Sequence, residues 1–336
     1  MKTNHSFSNE IDLILIYPYG AKHLKLFSDL EKVQNVCLRY SELSQTHSRI
    51  AAILKRIHFS KKLNRFFDLP GKHLWYEYSD IFSLLKKTKN VLIIDSALRD
   101  LPDDLLKKMK RNGAHLDLFL INSMNAASPR FLEIKFRILS NIWDHIYTFD
   151  PLDAKTYGFI YRGFNYYSKQ ELPILKFPTE DAYFIGGIKG NREETINALY
   201  RSITSYGGKC NFNVMVYKNQ TYEKIDGIHY ILGNWKPYEE ILKNVVNCNT
   251  IIEILQDGQS GASLRYFEAV CYNKKLLTNN SNIKSFPFYN EHYMKVFKNA
   301  KDIDPEWICQ RIPIDYHYQN EFSPKKLLQE YMHGDK

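Results

Sequence analysis

The residue types best suited to chemistry lie between Thr250 and Asn280, TIIEILQDGQSGASLRYFEAVCYNKKLLTNN. Gln259, Ser260, Gly261 and Ser263 form a small, polar approach to a helix that starts near Ala262. Such a helix aims unpaired backbone N–H groups and the positive end of its dipole into the loop, a seat for a diphosphate. Arg265 can add a guanidinium fork there. Glu268, three residues further on the same face, can accept hydrogen bonds from a ribose diol. A second stretch, AYFIGGIKGNREE (Ala182 to Glu194), offers another cradle through Gly187, Lys189 and Arg192. It is neither G-x-G-x-x-G nor a P-loop, and short glycine loops are common. The same spacing therefore also suits an ordinary βαβ unit with a surface Arg–Glu pair.

These residues need strands to present them. Ile251 to Leu255 is a short, apolar, β-branched run, and Lys275 to Thr278 starts the next strand. Ala182 to Gly187, Asn213 to Tyr217, His229 to Leu232 and Lys295 to Phe297 read as further strands. Helices are expected at Glu193 to Tyr206, Tyr238 to Asn247 and Pro324 to Met332. The first half alternates in the same way, with strands at Ile11 to Tyr17, Val33 to Leu38, Asn90 to Asp95, His115 to Ile121 and His145 to Phe149. Its helices are expected at Ala21 to Glu31, Pro102 to Asn112 and Pro129 to Leu139. Alternating strands and helices mean parallel, doubly wound sheets, which bind ligands beyond the carboxyl ends of their strands. Asp95 and His23 fall at such ends and are the candidates for a general base, each equally readable as a structural residue.

The donor stretch resembles the nucleotide-sugar-binding βαβ of GT-B glycosyltransferases. More narrowly, QDGQSGASLRYFEAVCYNKKLLTNN is similar to bacterial proteins of lipopolysaccharide and capsule synthesis, as are FDPLDAKTYGFIYRGFNYY (Phe149 to Tyr167) and AYFIGGIKGNREE. The resemblance covers the second half well and the first 140 residues poorly. It implies two Rossmann-like domains facing across a cleft, with a C-terminal helix able to return to the first. Residues 1–168 would be the acceptor domain, 169–180 a linker and 181–336 the donor domain. The implied activity is transfer of a hexosyl or galactofuranosyl group, from a UDP-sugar in the leading reading, to a surface-polysaccharide intermediate. Gly187, Lys189, Arg192, Gln259, Ser260, Gly261, Ser263, Arg265 and Glu268 would hold the donor. A GT-B-type nucleotide-sugar epimerase and a non-catalytic nucleotide-sugar-binding or membrane-associated protein are the alternatives.

At 336 residues, with 44% hydrophobic and 25% charged side chains, the chain suits two globular domains. The five cysteines are scattered and form no C-x-x-C pair, and no D-x-D motif sits where a metal-bound donor would need it. No metal or other cofactor is expected, and the nucleotide-sugar is a co-substrate. The amino terminus does not read as a signal peptide and no apolar run is long enough to span a bilayer, so the expected location is cytoplasmic.

The net charge is +9. Between Glu42 and Asp68 there is no acid. Ile50, Ile53, Leu54 and Ile57 recur there at helical spacing among Arg49, Lys55, Arg56, Lys61, Lys62 and Arg65. A basic amphipathic helix of this kind suits an anionic membrane surface. A core helix with a solvated basic back gives the same pattern. No nucleic-acid motif accompanies it, so nucleic acid is not an expected partner.

Overall fold

The computed structural model describes residues 11–18, 26–41, 44, 48–60, 71–124, 129–162, 166–173, 178–188, 192–216, 220–233, 236–256, 258–299, 302–326 and 329, with backbone alone at 129–133. His23 and Lys189 lie outside these residues. So do 61–65 of the basic stretch, 21–25 of the first expected helix and most of the expected terminal helix.

The chain divides into two units. One comprises Met1–Thr148, Gly158–Ile160 and Pro324–Lys336, and the other Phe149–Tyr157 and Tyr161–Ser323. The second unit thus begins at Phe149, well before the expected boundary at residue 168. The segment after Thr148 is a helix, Pro151–Tyr157, and Asp150 at its head is bonded to Ser260 of the second unit. That long-range bond was not visible in the local sequence.

In the first unit the strands are β1 (Leu13–Tyr17), β2 (Val36–Tyr40), β3 (Asn90–Ile94), β4 (His115–Leu120) and β5 (His145–Thr148), and the two-residue β6 (Ile160–Tyr161) has its first residue in this unit and its second in the other. They lie in the order β2-β1-β3-β4-β5-β6, and each pairing among the first five is parallel. Leu13 to Tyr17 is buried at every position, as a strand covered on both faces must be. The helices are α1 (Arg49–His58), α2 (Ile81–Leu84), α3 (Asp103–Arg111) and α4 (Pro129–Ile138). Gly113, at φ +78°, turns the chain out of α3 into β4. Within the described part of the first expected helix there is only a 3-10 turn at Ser28–Leu30.

The second unit begins with α5 (Pro151–Tyr157), followed by β7 (Glu180–Gly187), α6 (Arg192–Ser205), β8 (Cys210–Val216), β9 (His229–Leu232), α7 (Tyr238–Asn247) and β10 (Cys248–Glu253). Then come α8 (Leu264–Cys271), β11 (Lys275–Thr278), β12 (Met294–Val296) and α9 (Pro305–Cys309). The sheet order is β12-β11-β10-β7-β8-β9, parallel throughout. Renumbered from β7, this is the order 3-2-1-4-5-6 of a dinucleotide-binding sheet. Phe184, Leu199, Phe212, Ile252, Leu277 and Ile308 share one core around it. Each such buried side chain contributes about 1.5–3 kcal/mol.

Strand order reverses between β7 and β10. Chains leaving those two strands diverge to opposite sides, which opens a crevice at their carboxyl ends. The loop that the sequence singled out follows β10 and enters α8.

Candidate functional site

The loop between β10 and α8 rests on buried polar side chains. Glu253, the last residue of β10, is 2% exposed. Its carboxylate accepts from the hydroxyls of Ser263 and Thr278. Burial pushes this carboxyl up, while those two hydroxyls act in the opposite sense. Ser263 in turn caps α8, its Oγ accepting from the Arg265 N–H at 3.1 Å. One serine therefore joins the strand end to the helix start.

Asp150, at the head of α5, is fully buried. It accepts from the Ser260 N–H at 3.2 Å and from the Ser260 hydroxyl. Asn280 donates to the Gly261 carbonyl at 3.2 Å, and Asn282 to the Ser260 carbonyl at 3.3 Å. Asn279 accepts from the Leu255 N–H at 2.7 Å. Gln259 donates its N–H to the Gln256 carbonyl, and the Gln256 N–H donates back to the Gln259 side chain. Gly261 is required by space, because a Cβ there would lie 2.4 Å from the Phe149 ring. The loop is thus fixed by its surroundings and arrives preformed.

Arg265 and Glu268 form an ion pair, but an internal one. Glu268 is fully buried. Its Oε2 accepts from Arg265, and its Oε1 accepts at 2.9 Å from the Tyr238 hydroxyl, which accepts from Tyr167 at 3.0 Å. Burial pushes the Glu268 carboxyl up, with Arg265 and Tyr238 opposing it. Each carboxylate oxygen of the buried Glu268 carries one bond inside the unit, so the ribose contact expected of it would use the lone pairs those bonds leave over. Ser260 likewise directs its N–H and hydroxyl at Asp150.

Arg192 opens α6 and spans the reversal of strand order. Its guanidinium donates to the Gly187 carbonyl at the end of β7, at 3.2 Å, and to the Ile254 carbonyl just past β10. It brings positive charge to the crevice while tying its two walls. Gly187, Arg192 and the Gln259–Ser263 loop are thereby brought to one edge of one sheet.

In the first unit, Asp95 follows β3 and is fully buried. Its Oδ1 accepts from the Ser96 hydroxyl at 2.8 Å. Its Oδ2 accepts from the backbone N–H groups of Ile121 at 3.2 Å and Asn122 at 3.0 Å, and the Asn122 amide reaches both oxygens. Burial pushes the carboxyl up to about 6 against these donors. The side chain ties the end of β3 to the end of β4.

The apolar stripe of α1 is open to solvent, with Ile50 71%, Ile53 59%, Leu54 49% and Ile57 42% exposed. The core-helix alternative for this segment does not hold. Among the described residues, no helix is long and apolar enough to cross a membrane.

Asp150, Glu253, Tyr238, Tyr167 and Asn280 were missed from the sequence. The one usable signal was Glu253, an acid closing an apolar strand. The others meet the loop only through folding.

No family model matches the sequence, and no curated protein matches it. Among solved structures, the chain is similar to an alpha-glucosyltransferase in complex with UDP and a mismatched 13-mer DNA, at 12% identity and a TM-score of 0.49, over 82% of this chain and 81% of that one. It is also similar to a protein assigned as a UDP-N-acetylglucosamine 2-epimerase from Listeria monocytogenes, at 10% identity and a TM-score of 0.49, over 97% and 98% of the two chains. A third is an alpha-glucosyltransferase in complex with UDP, at 12% identity and a TM-score of 0.47, over 82% of each chain. At these identities and TM-scores they carry no argument about the chemistry of this chain.

Proposed function

We propose that this chain is a GT-B-type glycosyltransferase that moves a sugar from a UDP-sugar to a surface-polysaccharide intermediate of the lipopolysaccharide or capsule kind. The observation that supports it best is the meeting of Gly187, Arg192 and the preformed Gln259–Ser263 loop where strand order reverses between β7 and β10. A donor diphosphate would lie over that loop and the amino end of α8. The helix N-terminus and the cations Arg192 and Lys189 would stabilise its departure without a metal. Glu268, the proposed ribose contact, is held in position by Arg265 and Tyr238. The first unit is the acceptor domain. Of the two base candidates, Asp95 is saturated by donors, so an inverting reaction would use His23.

Peripheral attachment to an anionic membrane from the cytoplasmic side belongs to the same reading. It is supported by the exposed isoleucine stripe of α1 beside Lys55 and Arg56. Each cation near an anionic surface contributes on the order of 1 kcal/mol. The protein should sediment with anionic vesicles at low salt and be released by salt or by Gln at Lys55 and Arg56. Equal sedimentation with neutral vesicles would count against the charge-led mode.

Incubation with a panel of nucleotide-sugars, with and without lipid-linked glycan, tests the activity. Acceptor-dependent release of UDP that persists in EDTA is expected. Conversion of the donor sugar without acceptor would make the chain an epimerase. Tight UDP binding without turnover would make it a binding protein.

A further inference from the structure

His115 and Asp117 stand two residues apart on β4, so their side chains leave the same face of the sheet. His145 opens β5 and is the register partner of Asp117. The three side chains converge on one point. His115 Nε2 lies 3.1 Å from Asp117 Oδ1, His145 Nδ1 lies 3.1 Å from the same oxygen, and the two ring nitrogens are 3.3 Å apart.

Hydrogen bonding alone satisfies this triangle poorly. A neutral imidazole nitrogen either donates or accepts. If both nitrogens donate to Asp117, two N–H groups face each other at 3.3 Å. If one nitrogen instead donates to the other ring, it turns away from the carboxylate. A cation above the centre satisfies all three edges together. With zinc–ligand distances of about 2.0–2.1 Å, edges of this length give ligand–metal–ligand angles of roughly 100°, near tetrahedral and wider than octahedral.

The surroundings fit as well. Asp144 Oδ2 lies 3.6 Å from His115 Nδ1, the nitrogen pointing away from the triangle, and is itself held by Lys110 at 2.6 Å and by the Leu116 N–H at 2.6 Å. At 3.6 Å it is too far for a hydrogen bond, but it places negative charge behind His115. Asp117 is 1% exposed, while His115 and His145 are 39% and 44% exposed. A buried anion thus sits beneath two accessible imidazoles, with the fourth position open to water.

We propose that His115, Asp117 and His145 form a binding site for a divalent cation of the zinc class. It lies at the amino ends of β4 and β5, the edge of the sheet opposite to its ligand-binding ends. A cation there joins the starts of two neighbouring strands, and it takes no part in the transfer reaction.

The test uses the full chain after chelator treatment, titrated with Zn²⁺ and with Co²⁺. We expect one saturable site per chain, a tetrahedral Co²⁺ visible spectrum and a Zn²⁺-dependent rise in Tm. His115→Gln and His145→Gln, both at accessible positions, should each lower affinity at least tenfold and abolish the Tm rise. Absence of a saturable site in the wild type would overturn the proposal. Wild-type affinity in both variants would do so too, because it would assign the metal to other histidines.

Discussion

Asp150 and Ser260 are 110 residues apart in sequence and joined by two hydrogen bonds, from the serine N–H and from its hydroxyl to one buried carboxylate. The contact explains why α5 belongs with the second sheet. It also means that the proposed donor loop is shaped by an acid outside the βαβ unit in which it lies.

Replacing Asp150 by Ala should therefore act on stability and on donor binding together. The Ser260 N–H and the Leu152 N–H, which Asp150 also accepts at 2.9 Å, would lose their acceptor. Both bonds are only part-buried, so their loss costs about 0.5–1.5 kcal/mol each. Urea denaturation should show that loss, and calorimetry should show UDP binding weakened several-fold. Unchanged UDP affinity in a destabilised variant would separate the loop from the donor site.

Gly261→Ala tests the closeness of the loop to Phe149. The new Cβ would meet the ring at 2.4 Å and the Phe149 carbonyl oxygen at 3.1 Å. Overpacking of this kind costs about 1–3 kcal/mol. Adding Phe149→Leu should recover part of the lost Tm, because the clash is chiefly with the ring. Failure of the second change to restore any stability would place the cause in the backbone.

Glu268→Gln removes the charge paired with the Arg265 guanidinium, whose side chain is 15% exposed. Breaking a buried pair from one side costs about 3–5 kcal/mol, since the remaining charge is uncompensated. The variant should unfold at clearly lower urea, and Arg265→Met with Glu268→Leu should be more stable than the single change. A wild-type midpoint for Glu268→Gln would show that Arg265 reaches water.

Much of this architecture was legible because it rests on local patterns. The runs at His229–Leu232, Tyr238–Asn247 and Lys275–Thr278 have the same bounds in the sequence reading and in the fold. Burial on both faces writes strands such as Leu13–Tyr17 into the sequence as apolar runs. The site was less legible. Ser263 and Arg265 stand in the expected loop and helix, yet the sequence alone could not say that Arg265 turns inward to Glu268. Tyr238 and Tyr167, which complete that network, come from distant elements. The helix at Pro151–Tyr157 was missed because a seven-residue helix shows barely two turns of periodicity.

Asp95 gives a pH prediction with a definite sign. Burial raises its carboxyl from the usual 3.8 to about 6, so between those values the folded state holds a proton that the unfolded state has released. Stability from this group is full below about pH 4 and is lost as pH rises through about 6. A shift of this size corresponds to roughly 3 kcal/mol. Asp95→Asn would present an amide N–H₂ to some of the donors from Ser96, Ile121 and Asn122, and should be less stable at every pH. It should also lack the pH-dependent loss. Urea midpoints for both proteins at pH 4, 5, 6 and 7 give the comparison, and other titrating groups cancel in the difference. If the wild type instead gained stability relative to Asp95→Asn between pH 4 and 6, the hydrogen bonds would outweigh burial, and Asp95 would be ionised throughout that range.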